Sequence, residues 1–270
     1  MRYENPLYLA EELAALDLLS DQRLAIGISR GSPEPALRGW EAFGYTGSED
    51  PRGADIARPK FDQLMRAVRG ETMVDADPAQ HGRGMRLRIE PHSPGLDERI
   101  WWGAGSRETA EWAGREGVNL MSSTLLTEAT GEAFGDLQAE QLRLYREAWK
   151  AAGHTRTPRT SVSRSIFPIV SAEDQALYGQ LQREGQDQIG IIDGFRSTFG
   201  KSYVGEPDRL VEQLKADAAV MESDTLMLTI PAHMGPELNL SLLSSFAEHV
   251  APELGWEPNT QGPVTGYSID

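Results

Sequence analysis

Short apolar runs alternate with amphipathic stretches along most of the chain. The apolar runs are rich in β-branched and aromatic residues, which is typical of buried strands, and they lie at residues 23–29, 99–104, 118–121, 160–170 and 224–230. In the amphipathic stretches, apolar side chains recur every three or four residues, which predicts helices with one buried face. These helices are predicted at 5–20, 59–68, 106–117 and 142–153, from 172, from 206 as far as 221, and around 243–250. The stretch 185–205 shows neither pattern and is predicted to be irregular.

This order of elements predicts an α/β fold with a parallel sheet and right-handed crossovers. Both an open doubly wound sheet and a barrel satisfy it. A complete (β/α)8 barrel takes about 250 residues, and the 270 residues of this chain match that size. Only about five strand–helix units can be counted, so the pattern itself predicts an open sheet or an incomplete barrel.

Composition narrows the class of protein. The chain contains no cysteine, which excludes disulfide scaffolds, zinc ribbons and cysteine nucleophiles. Its 41 acidic and 26 basic residues give a net charge of -15, which repels nucleic acid and anionic membranes. No apolar stretch approaches the roughly 18–20 residues that span a bilayer, and the first residues lack the apolar core of a secretory signal. We therefore expect a cytoplasmic protein that binds neither nucleic acid nor membranes.

Metal chemistry is not indicated. The five histidines are scattered along the chain without the spacing of metal ligands, so no metal site is predicted.

The strongest local candidate for a binding site lies between the run 99–104 and the helix that follows it. Gly105 precedes Ser106 and Thr109, so two hydroxyls and free main-chain amides meet at the start of a helix. Such a helix start can bind a phosphate. The alternative is that Ser106 only caps the helix and no ligand exists, since serine is a common cap. Glu108 disfavours an anion here, and Arg107 is expected to offset its charge.

A second candidate follows the run 23–29 and consists of Arg30, Gly31 and Ser32. A guanidinium at the carboxyl end of a strand lies at the edge where α/β folds bind ligands, and it can donate two hydrogen bonds to a phosphate. The alternative is a surface ion pair between Arg30 and one of the many carboxylates. Because both candidates follow buried strands, they are expected to meet at one anion. The long polar stretch from Pro33 to about Arg58 is predicted to be a binding loop or lid.

Several segments of the chain, taken in order, resemble the luciferase-like, flavin-dependent monooxygenases. This family includes the bacterial luciferase subunits and folds as (β/α)8 barrels. The matching segments are Asn5–Ser20 leading into Arg23–Gly31, then Gly105–Ala113, Gly117–Ser123 and Val204–Pro207. Each is weak alone, and their common order is specific. The resemblance implies an α/β fold of the TIM-barrel family, with residues 1–270 as a single domain. Residues 257–270 are rich in proline and glycine and are expected to form an irregular tail.

The resemblance also implies a cofactor and a reaction. Carried over by position, it implies that the phosphate of FMN is bound by Arg30, Ser106 and Thr109, with main-chain groups of Gly31 and Gly105, that Ser32 lies nearby, and that Ser122 and Ser123 flank the isoalloxazine ring. The implied activity is a monooxygenase reaction, in which a separate flavin reductase supplies reduced FMN and O2 gives one oxygen atom to an organic substrate. A homodimer or heterodimer is implied as well. No catalytic residue can be carried over.

The chain departs from the family pattern at its amino end. Family members have three strand–helix units before the helix at 5–20, and these units are expected to be missing here. In luciferase they carry a catalytic histidine, and none of the five histidines occupies that position. Two alternatives therefore stand beside the FMN monooxygenase. One is a shortened flavin-binding protein or partner subunit without catalysis, and the other is an oxidoreductase of the same fold that uses the deazaflavin F420.

Overall fold

The structure, a computed structural model, describes residues 1–31, 54–181, 186–192 and 195–258. These residues form two compact units, one up to Gly103 and the other from Ala104 onward. None of the helices within these ranges is long and apolar enough to cross a membrane.

The first unit pairs two parallel strands and packs helices against them. Its elements are α1 (Pro6–Leu19), β1 (Ile26–Ile28), α2 (Ala54–Val68), β2 (Val74–Asp75), α3 (Pro78–His81), β3 (Arg86–Leu87) and β4 (Ile100–Ala104), whose last residue begins the second unit. Strand β1 pairs with β4 in parallel, with Ile26 opposite Ile100. Helix α1 begins where the Asn5 side chain accepts the amide hydrogens of Leu7 and Tyr8, as its sequence predicts. Phe61 of α2 packs edge-on against Trp102 of β4 with ring centroids 4.7 Å apart.

The second unit is built around one long strand. Its elements are α4 (Arg107–Glu116), β5 (Asn119–Ser122), β6 (Leu125–Leu126), α5 (Phe134–Ala151), β7 (Thr160–Pro168), α6 (Ala172–Tyr178), β8 (Gln188–Ile192), β9 (Phe195–Phe199), β10 (Ser202–Gly205), α7 (Pro207–Lys215), α8 (Ala218–Glu222), β11 (Thr225–Leu228) and α9 (Gly235–His249). Strand β7 pairs in parallel with β5, β10 and β11. Helices α4 and α5 lie so close that a Cβ on Gly114 would be 2.4 Å from the Tyr145 carbonyl oxygen. Only glycine permits this approach.

The predicted strands are confirmed. The five apolar runs correspond to β1, β4, β5, β7 and β11, and at least one helix lies between each of these strands and the next. The α/β class and the parallel pairing are therefore those that the apolar pattern predicted, with about five strand–helix units.

The prediction of an irregular stretch at 185–205 is wrong for its described residues. Strands β8 and β9 form an antiparallel pair, with Gln188 opposite Phe199, and β6 adds to the other edge of β9. Ile189 and Ile191 are 53% and 77% exposed. These apolar side chains line no buried face, and their run is short and contains Gly190, so it predicts a strand only weakly. Strand β10 lies in the same stretch and adds to the parallel sheet beside β7, with Tyr203 and Val204 buried.

Several helix boundaries also differ from the predictions. Helices α5 and α9 begin at Phe134 and Gly235, eight residues before the predicted stretches 142–153 and 243–250. Helix α2 begins at Ala54, so Pro59 lies inside the helix and not at its start. The single helix expected from 206 to 221 is divided into α7 and α8, because the Asp217 side chain accepts the amide hydrogens of Ala219 and Val220 and caps a new helix there.

Candidate functional site

The start of α4 holds the two hydroxyls that spacing predicted. Ser106 has extended backbone angles and is the N-cap, and its Oγ accepts the Thr109 amide hydrogen at 3.3 Å. The Ser106 hydroxyl donates to Thr109 Oγ1 at 3.0 Å. Both side chains are half-buried. Ser106 therefore caps α4. The same geometry places the Thr109 hydroxyl beside the Ser106 hydroxyl at the amino end of the helix, where the helix dipole is positive.

Main-chain bonds hold the turn between β4 and α4. The Gly105 carbonyl accepts the Thr127 amide hydrogen at 2.8 Å and the Thr127 hydroxyl at 3.1 Å. A Cβ on Gly105 would meet its nearest neighbour, the Leu125 carbonyl oxygen, at 3.7 Å, which is ordinary contact. Packing within the chain does not require glycine at this position.

The Arg107 side chain forms ion pairs with two carboxylates. Its Nε lies 3.3 Å from Glu128 Oε2 and its Nη1 lies 3.1 Å from Glu140 Oε2. The charge of Glu128, followed by that of Glu140, raises the pKa of the Arg107 guanidinium above its ordinary value. The Arg107 amide also donates to Glu128 Oε1 at 3.3 Å. Arg107 therefore balances Glu128 and Glu140, and the Glu128 carboxylate lies at the first turn of the candidate phosphate site.

The two serines at the end of β5 differ in their surroundings. Ser122 is fully buried, and its Oγ accepts from Gln138 Nε2 at 2.8 Å and donates to Gln141 Oε1 at 3.0 Å. Ser123 is half-buried, its amide donates to the Ala104 carbonyl at 3.2 Å, and its carbonyl accepts from Gln138 Nε2 at 2.7 Å. The end of β5 therefore lies beside the Ala104–Gly105 turn, with Ser122 facing α5.

The remaining predicted residues belong to the first unit or lie outside the described residues. Arg30 is half-buried directly after β1. Gly31 has a φ of +113°, a conformation that favours glycine, and its amide donates to the Ser29 side chain at 3.2 Å. Ser32 and the predicted lid up to residue 53 lie outside the described residues. The structure thus brings Gly105, Ser106, Thr109 and Ser123 together, and the meeting of Arg30 with them stays a prediction.

A buried polar network beside β5 was missed. Arg164 of β7 pairs with Asp217 through two bonds of 2.8 and 3.0 Å and donates to Gln138 Oε1 at 2.6 Å. The Tyr203 hydroxyl donates to Asp217 Oδ2 at 2.6 Å. Burial, together with the bond to Asp217, raises the pKa of Tyr203 above its ordinary value. Burial alone would raise the pKa of Asp217, but the Arg164 bonds and charge outweigh it and hold that pKa below its ordinary value.

One signal in the sequence points to this network. Val162, Arg164 and Ile166 occupy the same face of β7, and Val162 and Ile166 are buried. A charged residue in the apolar phase of a strand indicates a buried partner. Its partners are too distant in sequence to be named from the pattern.

A cavity of about 220 Å³ opens beside this network and is lined by Arg164, Lys201 and Tyr203 among others. It is smaller than the roughly 300–1,000 Å³ of typical ligand pockets, and none of the predicted flavin residues lines it. It is therefore not the candidate flavin site. Among the described residues, no group of histidine and acidic side chains could hold a metal ion.

Three solved structures share the fold. Monooxygenase RslO1 from Streptomyces bottropensis has a TM-score of 0.65 and 22% identity, covering 93% of this chain and 75% of that one. The oxygenating constituent of 3,6-diketocamphane monooxygenase from Pseudomonas putida, in complex with FMN, has a TM-score of 0.59 and 14% identity, covering 93% and 77%. The coenzyme F420-dependent tetrahydromethanopterin reductase from Methanopyrus kandleri has a TM-score of 0.56 and 14% identity, covering 93% and 80%.

These similarities establish the fold as that of the TIM-barrel family, represented here by about five strand–helix units. No curated protein sequence matches significantly. The sequence profile of the luciferase-like monooxygenases matches residues 2–202, which is most of the chain. The chain therefore belongs to the luciferase-like monooxygenase family.

Proposed function

We propose that the protein is an FMN-dependent monooxygenase, which uses reduced FMN and O2 to transfer one oxygen atom to an organic substrate. The observation that carries the proposal is the pair of hydroxyls of Ser106 and Thr109. Their oxygens lie 3.0 Å apart at the start of α4, which follows β4 in the chain. The similarity to the FMN complex of the Pseudomonas putida enzyme supports it.

The donor groups of this site fit a phosphate. Ser106 and Thr109 offer hydroxyls at a helix start, and Gly105 directly precedes them in the turn after β4. Since Arg107 is paired with Glu128 and Glu140, we assign the positive charge for the phosphate to Arg30, with Gly31 and Ser32 beside it. We assign Ser122 and Ser123 to the part of the site that contacts the isoalloxazine ring.

The cofactor, when bound, supplies the reaction with O2. The residues of this chain bind its phosphate, orient its ring and exclude water from it. We further propose that a separate flavin reductase supplies reduced FMN, that the protein acts in the cytoplasm, and that it forms a homodimer or heterodimer.

The phosphate site is tested by comparing FMN with riboflavin, which lacks the phosphate. Arg30→Ala and the double variant Ser106→Ala with Thr109→Val should each weaken FMN binding more than about tenfold, since each removes bonds to a dianion. Riboflavin binding should change less than about twofold in both. Fluorescence titration of the purified protein measures both constants.

The control for this experiment is Ser171→Ala. Ser171 caps α6 in the same way, with its Oγ accepting the Asp174 amide hydrogen at 3.1 Å, and it should leave FMN binding unchanged. An FMN affinity that survives all of the substitutions at 30, 106 and 109 would contradict the proposed phosphate site.

Glu128 provides a second test with the opposite sign. Glu128→Gln should tighten FMN binding about three- to tenfold, because it removes a negative charge from the first turn of α4 and releases Arg107 from one partner. Riboflavin binding should not change. Glu140→Gln is the matched control, since Glu140 pairs with Arg107 without touching the first-turn amide. Equal or weaker FMN binding in Glu128→Gln would show that this carboxylate does not oppose the phosphate.

The similarity to the Methanopyrus kandleri reductase favours one alternative, a deazaflavin F420-dependent oxidoreductase. The phosphate site serves both cofactors. Mass spectrometry of the cofactor that copurifies with the protein separates them, and oxygen uptake coupled to product formation supports the monooxygenase.

A further inference from the structure

The side-chain amide of Gln138 has only one orientation that satisfies its partners. The Arg164 guanidinium can only donate, and it lies 2.6 Å from Gln138 Oε1. The Ser123 carbonyl can only accept, and it lies 2.7 Å from Gln138 Nε2. A flipped amide would place donor against donor and acceptor against acceptor. The contacts themselves therefore determine the direction of the amide.

Two glutamines of α5 bond to the Ser122 hydroxyl. Its Oγ accepts from Gln138 Nε2 at 2.8 Å and donates to Gln141 Oε1 at 3.0 Å. Both Gln138 and Gln141 are fully buried on α5. Ser122 is thus held against the helix. Of the two serines, Ser123 is the half-buried one, and its Oγ accepts the Leu125 amide hydrogen at 3.5 Å. Under the proposed function it is the serine that faces the flavin.

The position of the Gln138 side chain is fixed by its bond to Arg164. Arg164 is 2% exposed and donates two bonds to Asp217, whose carboxylate also accepts from the Tyr203 hydroxyl and the amides of α8. A guanidinium with this many short bonds has little rotational freedom. It therefore holds the Gln138 amide in place, and Gln138 in turn holds the peptide group that follows Ser123.

We infer that Gln138 is a positioning residue for the flavin ring: through its bond to the Ser123 carbonyl it sets the end of β5, and the Arg164–Asp217 pair fixes Gln138. This inference rests on the proposed function. Gln138 lies behind β5 and acts on the ring only through Ser123. It has no part in binding the phosphate, which is assigned to the start of α4 and Arg30.

The test is Gln138→Glu, titrated with FMN and riboflavin. Glutamate keeps the length of the side chain and an acceptor for Arg164, and it loses the donor to the Ser123 carbonyl. It should weaken both ligands by the same factor, about tenfold, because the ring site is displaced and the phosphate site is not. If the added charge acted on the phosphate, FMN alone would weaken. The absorbance maximum of bound FMN should also shift, since the surroundings of the ring change.

Tyr145→Phe is the matched control. The Tyr145 hydroxyl donates from α5 to the Val118 carbonyl at 2.9 Å, next to the amino end of β5. This variant loses the same kind of bond at the opposite end of the same strand, so it should reduce stability and leave both flavin affinities and the spectrum unchanged. Gln138→Met, which also removes the acceptor for Arg164, should weaken both ligands at least as much as Gln138→Glu.

The outcomes separate this inference from the proposed function. Wild-type protein that binds neither flavin overturns both. Wild-type binding with Gln138→Glu unchanged overturns the inference alone, as does equal weakening by Tyr145→Phe. A loss confined to FMN also overturns it, because that result would place the effect of Gln138 at the phosphate.

Discussion

Asp217→Ala is expected to lower the free energy of unfolding by about 3–5 kcal/mol, because it leaves the buried Arg164 guanidinium without its counter-charge. The Arg164 and Asp217 side chains are 2% and 4% exposed, so the pair is largely shielded from bulk water. The variant also leaves Tyr203 without its acceptor and α8 without its cap. Chemical unfolding followed by circular dichroism measures the loss.

Two further variants define the cause of this loss. Replacing both charges, as Arg164→Met with Asp217→Leu, should recover part of the stability, since no unpaired charge is then buried. Glu253→Ala removes an exposed partner of Lys215, 4.0 Å away, and should have almost no effect. A loss below about 1 kcal/mol in Asp217→Ala would mean that the buried pair contributes no more than a surface pair.

Asp17→Ala is expected to have an effect of similar size in the first unit, about 3–5 kcal/mol. Asp17 is fully buried on α1 and accepts from Arg99 at 2.6 and 2.8 Å and from the Ser93 hydroxyl at 2.6 Å. Its Oδ1 also accepts the Leu24 amide hydrogen at 3.2 Å. One carboxylate thus joins α1 to the segments before β1 and β4. Its removal leaves a guanidinium, a hydroxyl and an amide with an unmet bond.

The same carboxylate predicts the direction of the pH dependence. Burial alone would raise the pKa of Asp17, but the bonds from Arg99 and Ser93 and the Arg99 charge outweigh it and hold the pKa below its ordinary value of 3.8. A lowered folded-state pKa contributes stability that is present above about pH 4 and is lost as the pH falls through the folded-state value. Unfolding measured between pH 7 and pH 3 should therefore show a smaller acid loss in Asp17→Asn than in the wild type. An identical acid loss in both would contradict this assignment.

Much of the fold could be predicted from local patterns. The five strands follow from apolar runs, and α1 and α4 begin at the side-chain caps Asn5 and Ser106, because caps and periodicity act within one turn of helix or one strand. The β8–β9 pair could not be predicted, since its isoleucines stay exposed and its stability comes from main-chain pairing between strands.

For the candidate site, residue types and spacing predicted the hydroxyl pair at Ser106 and Thr109 and its position directly after a strand in the chain. They did not indicate that Arg107 would turn to Glu128 and Glu140, because those carboxylates approach from elements further along the chain.

The five apolar strands, the α4 start and the absence of cysteine chemistry were determined by the sequence alone, since each depends on composition or on neighbours within a few residues. Which partner each buried polar group takes was decided only by the tertiary structure. Gln138, Arg164 and Asp217 lie on separate elements, and a hydrogen bond forms only when folding brings donor and acceptor within about 3 Å. That distance, which no local pattern encodes, decides that Ser122 bonds to Gln138 and Gln141 of α5.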